Sequence, residues 1–213
     1  MQLKAPLPLT HLENKNTLPL IKLYFEFAHL KQLYRQGWLK RGVPPARCES
    51  VAEHTLGVAV LAMVLADSYF PELDQLKVMR MALLHDFGEI YAGDIMPSDP
   101  ISRAEKKALE VEAVRQVLGK LPQGERYIAL WEEYERQESA EARWVKQMDR
   151  LEMVLQASVY EQQGLADMSE FFESVEPFLT EPELRAILQA LRELRGKGAP
   201  ALEDDQESRI DQD

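Results

Sequence analysis

An adjacent imidazole and carboxylate, His85 and Asp86, follow directly on the apolar run Met81-Ala-Leu-Leu84. Burying a helix face that ends in such a pair costs free energy unless both groups find strong partners. A metal ion is a partner that serves both. Glu89 follows three residues after Asp86, and Asp94 eight residues after it. On a helix, positions three and four apart are neighbours, so His85, Asp86 and Glu89 would face adjacent directions. One nitrogen and several oxygens from a single segment suit a hard or borderline divalent ion, not a thiolate-bound zinc.

The four histidines are His11, His29, His54 and His85. His54 falls in the first turn of a second apolar helix and reads either as a core histidine or as a ligand; its pairing with His85-Asp86 favours the ligand. Asp149 lies beside the apolar side of a third helix. It is either a further ligand or the salt-bridge partner of Lys146, Arg150 or Arg143. Two imidazoles and two carboxylates from three helices make an octahedral site with two positions open for water or substrate. His11 is given no role, and His29 reads as a surface or satisfied core histidine. Glu53 adjoins His54, but Ser50-Val-Ala-Glu53 is a capping box, which accounts for it. Glu49 and Arg47 form either a loop ion pair or support for the site.

The elements that must position these groups are helical. Apolar residues recur at helical spacing over 20–34, 51–67, 73–87, 102–118, 127–137, 140–163 and 180–196. Ser102-Arg-Ala-Glu105 and Thr180-Glu-Pro-Glu183 read as two more capping boxes. The helix beginning at Val51 is apolar nearly all round, as a central helix would be. No Val/Ile/Thr-rich alternating run and no internal repeat occur. The expectation is an all-α bundle of roughly seven helices over residues 19–196, with a polar arm at 1–18 and a disordered acidic tail at 197–213.

The chain has 213 residues, 46% of them hydrophobic and 29% charged, which is enough for one good-sized core. A formal net charge of -11 speaks against non-specific binding to nucleic acid or to an anionic membrane surface. The lone Cys48 rules out a disulfide framework within the chain and any CxxC zinc site. No apolar stretch long enough to span a bilayer is read, so the expected location is cytoplasmic.

His54, His85-Asp86 and Asp149 match the H…HD…D pattern of the HD-domain metal-dependent phosphohydrolases. Gly37-Trp38, Glu49-Ser-Val-Ala-Glu-His54, Leu84-His-Asp-Phe-Gly-Glu89, Gly93-Asp94-Ile95 and the segment from Ser139 to Asp149 resemble that family's 5'-deoxynucleotidase branch. The continuation from Leu151 to Glu161 is similar to the eukaryotic HD-domain-containing protein 2 group. The resemblance covers about residues 20 to 195.

This resemblance implies an HD helical core and a divalent metal ion, with Co, Mn, Mg, Fe and Zn not distinguished. It implies His54, His85, Asp86 and Asp149 as ligands, Glu89 as the catalytic glutamate and Asp94 as the substrate-side acid. In some members the equivalents of Glu89, Asp94 and the Ile95 carbonyl hold a second ion. Trp38 matches an aromatic that helps recognise the deoxyribose, where it would stack on the nucleoside or else sit in the core. The bacterial enzymes carry Arg directly before that Trp. Here Gly37 stands in its place, and Arg35 or Arg41 would substitute as the basic residue that binds substrate. Lys146, one turn before Asp149, is either a phosphate-neutralising cation or a surface lysine. The expected activity is hydrolysis of 2'-deoxyribonucleoside 5'-monophosphates by a homodimer. The alternatives are an HD hydrolase of a nucleoside triphosphate or guanosine tetraphosphate-like nucleotide, and a non-catalytic metal- or nucleotide-binding module.

Overall fold

The computed structural model describes residues 1–195. In chain order the helices are α1 Pro19–Phe27, α2 Gln36–Lys40, α3 Val51–Tyr69, α4 Gln75–Leu84, α5 Glu89–Ala92, α6 Arg103–Leu118, α7 Gly124–Arg136, α8 Ala140–Gln162, α9 Ser169–Val175 and α10 Pro182–Arg195. Seven of these have nine or more residues and answer to the seven expected from periodicity. Among the described residues there is no strand, only isolated bridges between Leu3 and Leu33 and between Tyr34 and Ser50. The all-α expectation holds. The acidic tail expected over 197–213 lies outside the described residues.

Local chemistry explains most helix starts. Ser50 and Ser102 each accept from the backbone N–H three residues on, and Glu53 and Glu105 reach back to the cap, so two of the three expected capping boxes are formed. The third is not. α10 starts at Pro182, where a missing N–H costs little, and the Thr180 hydroxyl bonds Gln147 Oε1 at 3.0 Å instead. The helix expected over 20–34 stops at Phe27, because Leu33 and Tyr34 turn into the bridges with Leu3 and Ser50. The N-terminal arm lies along that segment: Lys4 N–H donates to Gln32 O at 2.7 Å, and Gln2 N–H to Gln36 Oε1 at 2.9 Å.

The helix expected over 73–87 also ends early, at Leu84. Beyond it, Phe87 N–H donates to Leu84 O and Glu89 N–H to Asp86 O, both at 3.0 Å. These are the tighter three-residue bonds of a 3₁₀ turn. The His85-Asp86 pair therefore sits in a break between α4 and α5, not on a continuous helix. Packing accounts for the break: a Cβ at Gly88 would lie 2.7 Å from Glu110 Cβ, so α6 presses directly on this turn.

Two apolar clusters result. The larger joins α3, α4, α8, α9 and α10 around Met148, Leu151 and Val154. The smaller holds Leu30, Leu33, Val51, Ile90, Val114, Val117 and Trp131, from the turn after α1 and from α3, α5, α6 and α7. Helix α3 is long and apolar enough to cross a membrane (mean hydropathy 1.4), which corrects the expectation that no such stretch exists. Its two acids, Glu53 and Asp67, sit near its ends. It packs here as a core helix, with Val58, Ala59, Ala62 and Ala66 buried against its neighbours. It is not covered all round, since Leu56, Val60, Met63 and Val64 remain exposed.

Candidate metal centre

His54 in α3, His85 and Asp86 in the turn after α4, and Asp149 in α8 meet at one point. His54 Nε2 lies 3.3 Å from Asp149 Oδ1 and 3.8 Å from Asp86 Oδ2, and His85 Nε2 lies 3.1 Å from Asp86 Oδ2. The two rings are 5.4 Å apart at 64°. Each imidazole is held by its other nitrogen: His54 Nδ1 is 2.5 Å from Glu152 Oε2, and His85 Nδ1 is 2.7 Å from Ala82 O. The ring N–H of a metal-binding histidine commonly goes to a carboxylate or a backbone carbonyl, which leaves the opposite lone pair free for the ion.

His54 Nε2, His85 Nε2 and Asp86 Oδ2 are buried and have no hydrogen-bond partner. A buried polar atom left unpaired costs about 1–3 kcal/mol, so three such atoms facing one another fit an ion and little else. Burial and Arg35 oppose charge on His54, yet Glu152 and Asp149 outweigh both and raise its pKa to about 10. The acids around the ring demand positive charge at this spot. The donor set of two nitrogens and two carboxylates fits a divalent ion.

Asp149 forms the expected salt bridge to Lys146 and also faces His54. Oδ1 faces His54, while Oδ2 accepts from Lys146 Nζ at 3.0 Å and from the Tyr134 hydroxyl at 3.3 Å. Burial raises the Asp149 pKa, but Lys146 and the two histidines more than reverse this and hold it well below the usual carboxylate range. Tyr134 is fully packed in α7 and also accepts from Lys146 at 2.9 Å. Lys146 is thus half-buried and tied to Asp149 and Tyr134.

Glu152 falls within the segment that carries the family resemblance, and sequence reasoning gives neither it nor Tyr134 a role in the site. Glu152 had a legible signal: an acid one turn beyond Asp149, between Leu151 and Val154 on the buried side of the same helix. Its approach to α3 depends on Gly57, since a Cβ there would lie 2.7 Å from Glu152 Oε1 and 2.9 Å from Cγ. Gly57→Ala is expected to displace Glu152 from His54 and weaken ion affinity roughly 10- to 100-fold, the range for lost support of a ligand. A chelator-competition titration checks this; unchanged affinity would mean that Glu152 does not position His54.

Glu49 lies behind His54 as well. It accepts from Trp38 Nε1 at 2.7 Å and is not paired with Arg47, which bonds Gln163. Burial, then the neighbouring Glu152, pushes the Glu49 carboxyl up to about 7. Trp38 itself is a core residue, 2% exposed, with its ring 4.3 Å from Phe171 and 5.4 Å from Tyr160. It has no open face on which a nucleoside could stack. His29 is buried, and burial holds it below the usual imidazole range.

On the other side of the centre, Glu89 is buried with Oε2 unpaired. Burial, then Asp86 and Asp94, raise its pKa well above the usual carboxylate range. Asp94 accepts from Arg35 Nη1 at 3.0 Å and from Gln36 N–H at 2.6 Å. The Ile95 carbonyl accepts from Lys106 Nζ at 3.0 Å. Arg41 is not brought to the site. It is exposed and paired with Glu170 in α9, one and a half turns beyond Arg35, which holds the inward position.

The structure is an all-α bundle that gathers two histidines and two aspartates from α3, the turn after α4, and α8. The chain belongs to the HD domain family, whose model matches residues 27–187. It is 40% identical over 176 residues to the human protein 5'-deoxynucleotidase HDDC2, covering 81% of this chain and 84% of that one. It is 34% identical over 174 residues to 5'-deoxynucleotidase YGK1 of Saccharomyces cerevisiae, covering 78% of each. The crystal structure of a predicted metal-dependent phosphohydrolase from Magnetospirillum magnetotacticum superposes with a TM-score of 0.67 at 30% identity, covering 85% of this chain and 95% of that one.

Proposed function

We propose that this chain is a metal-dependent 5'-deoxynucleotidase that hydrolyses 2'-deoxyribonucleoside 5'-monophosphates to deoxynucleosides and phosphate. The observation that carries the reading is the convergence of three buried, unpartnered atoms on one point, His54 Nε2, His85 Nε2 and Asp86 Oδ2, with Asp149 closing the set. The named relatives supply the substrate class. His54, His85, Asp86 and Asp149 would hold a divalent ion. When bound, such an ion polarises a phosphate oxygen and lowers the pKa of a water, so that hydroxide is available near neutral pH.

The remaining steps fall to the chain's own side chains. Lys146 and Arg35 carry fixed positive charge on two sides of the centre and would orient and neutralise the phosphate. Glu89, whose carboxyl is held toward its protonated form by burial and by Asp86 and Asp94, would hand that proton to the leaving 5' oxygen, which is a poor leaving group as an alkoxide. Asp94 keeps Arg35 in place. Trp38 acts through Glu49, whose carboxylate it holds behind the His54–Glu152 pair. Phe171 Cζ lies 3.6 Å from where a Cβ on Gly37 would stand, so this ring would border a side chain at that position in ordinary van der Waals contact.

A pocket wall that leaves a 2'-hydroxyl without a partner would cost a ribonucleotide about 1–3 kcal/mol, or roughly ten- to a hundred-fold in kcat/KM. A phosphate-release assay across paired deoxy- and ribonucleoside monophosphates is expected to show that preference for every base. Equal kcat/KM for dAMP and AMP would overturn the deoxynucleotidase reading. The buried, undisulfided Cys48 supports a cytoplasmic location. The exposed apolar stripe of Leu56, Val60, Met63 and Val64 on α3 supports a second copy of the chain as partner.

A further inference from the structure

The segment that carries Arg35 is held from two sides. On one side it runs against the start of α3. Tyr34 bridges Ser50, Arg35 N–H donates to Glu49 O at 3.1 Å, and Val51 N–H donates to Leu33 O at 2.9 Å. On the other side lie residues 2–4. Leu3 bridges Leu33, and Lys4 N–H donates to Gln32 O at 2.7 Å. Lys4 Nζ passes 5.4 Å from the centre of the Tyr34 ring and reaches Glu53 Oε2, in the capping box of α3, at 3.2 Å. The stretch with Arg35 is thus the middle one of three.

Gln36 is where the outer stretch meets the site. Its side chain is buried and grips one backbone unit: Oε1 accepts from Gln2 N–H and Nε2 donates to Gln2 O, each at 2.9 Å. Nε2 also donates to Tyr34 O at 2.9 Å. Both amide hydrogens are therefore in use, and this network fixes which way the amide points. The Gln36 backbone N–H donates to Asp94 Oδ2 at 2.6 Å, beside the Arg35 guanidinium on Oδ1 at 3.0 Å. The Met1 thioether fills the space that a side chain on Gly93 would take, next to Asp94.

We propose that residues 2–4 are a strap that sets substrate affinity, with Gln36 as the positioning residue through which it acts. The strap presses the Arg35 stretch against α3 and Asp94, and so keeps the guanidinium where it meets the substrate phosphate. With the strap lifted, that stretch becomes an edge with unpaired backbone groups, and the Gln36 amide loses two partners. Ordering Arg35 then costs part of the binding free energy, while Glu89 and the four groups read as metal ligands are untouched. The inference rests on the reading of Arg35 as a phosphate-binding cation in a nucleotidase.

Two variants release the strap from its two ends. Lys4→Pro removes the N–H given to Gln32 and the ammonium given to Glu53. Gln36→Met keeps the backbone N–H on Asp94 and lets go of Gln2. Kinetics with dAMP on manganese-loaded protein are expected to show KM raised roughly tenfold in each, as for one weakened charge-assisted hydrogen bond, with kcat within about twofold. Manganese uptake is expected to be unchanged. The double variant should be no worse than the worse single one, because both changes release the same strap, whereas independent destabilisations would add. Unchanged KM in a folded variant, or an additive rise in the double, would overturn the strap. Where a variant does not fold, amide exchange of the unmutated chain decides. Lys4 N–H is expected to be protected, and more so with inorganic phosphate bound; exchange as fast as in a free peptide in both states would overturn the proposal. Failure of the strap leaves the unmutated chain active, whereas absence of phosphate release by that chain from every deoxynucleoside monophosphate overturns the underlying reading instead.

Discussion

Asp149→Ala is expected to lose the bound ion and, with it, nearly all phosphate release, while the helix content stays close to that of the unmutated chain. Asp149 is the site's only group from α8 that faces His54 Nε2, at 3.3 Å, so its removal opens one side of the donor set. The same change strands Lys146 and the Tyr134 hydroxyl, both of which rest on Asp149 Oδ2. Some loss of stability is therefore expected, and it must be separated from loss of ligation. Asp149→Asn does this, because its side-chain oxygen can still accept from Lys146 and Tyr134 while the carboxylate charge is gone. Both variants should lose ion affinity; only the alanine should lower the melting temperature, by about 2–4 °C for each kcal/mol lost in a domain of this size. Full metal occupancy of Asp149→Ala by elemental analysis would remove Asp149 from the ligand set.

The second large effect is expected at Glu89. Glu89→Gln should keep the ion and lose turnover by roughly 10²- to 10⁴-fold, the usual contribution of a general acid or base. The pH dependence follows from the direction of its shift. Burial, Asp86 and Asp94 raise the Glu89 pKa, so the carboxyl keeps its proton to higher pH than an ordinary glutamate and releases it as the pH climbs through the raised value. Donation to the leaving oxygen is available below that pKa and lost above it. The unmutated enzyme should show kcat falling on the alkaline side, and Glu89→Gln should lack that limb, since an amide does not titrate. A variant with bound metal and undiminished kcat would make Glu89 an ordinary buried acid.

Much of this was legible from spacing. The long helices announce themselves by 3.6-residue periodicity, and two by capping boxes that the structure forms as written. His54, His85, Asp86 and Asp149 stand out because each is a polar residue on an apolar face. The rest depends on tertiary packing. The residues from 73 to 87 contain no helix breaker, so nothing local marks the stop at Leu84; pressure of α6 on Gly88 makes it. Arg35 and Arg41 are equally basic and close to Gly37, and only the course of α2 turns one inward and the other out. Trp38 looks available until its indole N–H is seen to be spent on Glu49. Lys106 lies in a charged helix whose lysines are alike in sequence, and only its contact with the Ile95 carbonyl distinguishes it.

The two apolar clusters divide the site between them. His54, the end of α4 and Asp149 are anchored in helices packed on the larger cluster, whereas Glu89, Asp94 and Lys106 ride on α5, the loop after it and α6, which pack on the smaller one. Proteins open in cooperative units of unequal free energy, and small clusters under short elements open first. The acid and its companion cations can therefore part from the ligand cage without disturbing it. Amide protons of α5 and the following loop would exchange with solvent well before those of α3 and α8. On the proposed reading, product would leave through a brief local opening, while the ion would be held until the large core opens.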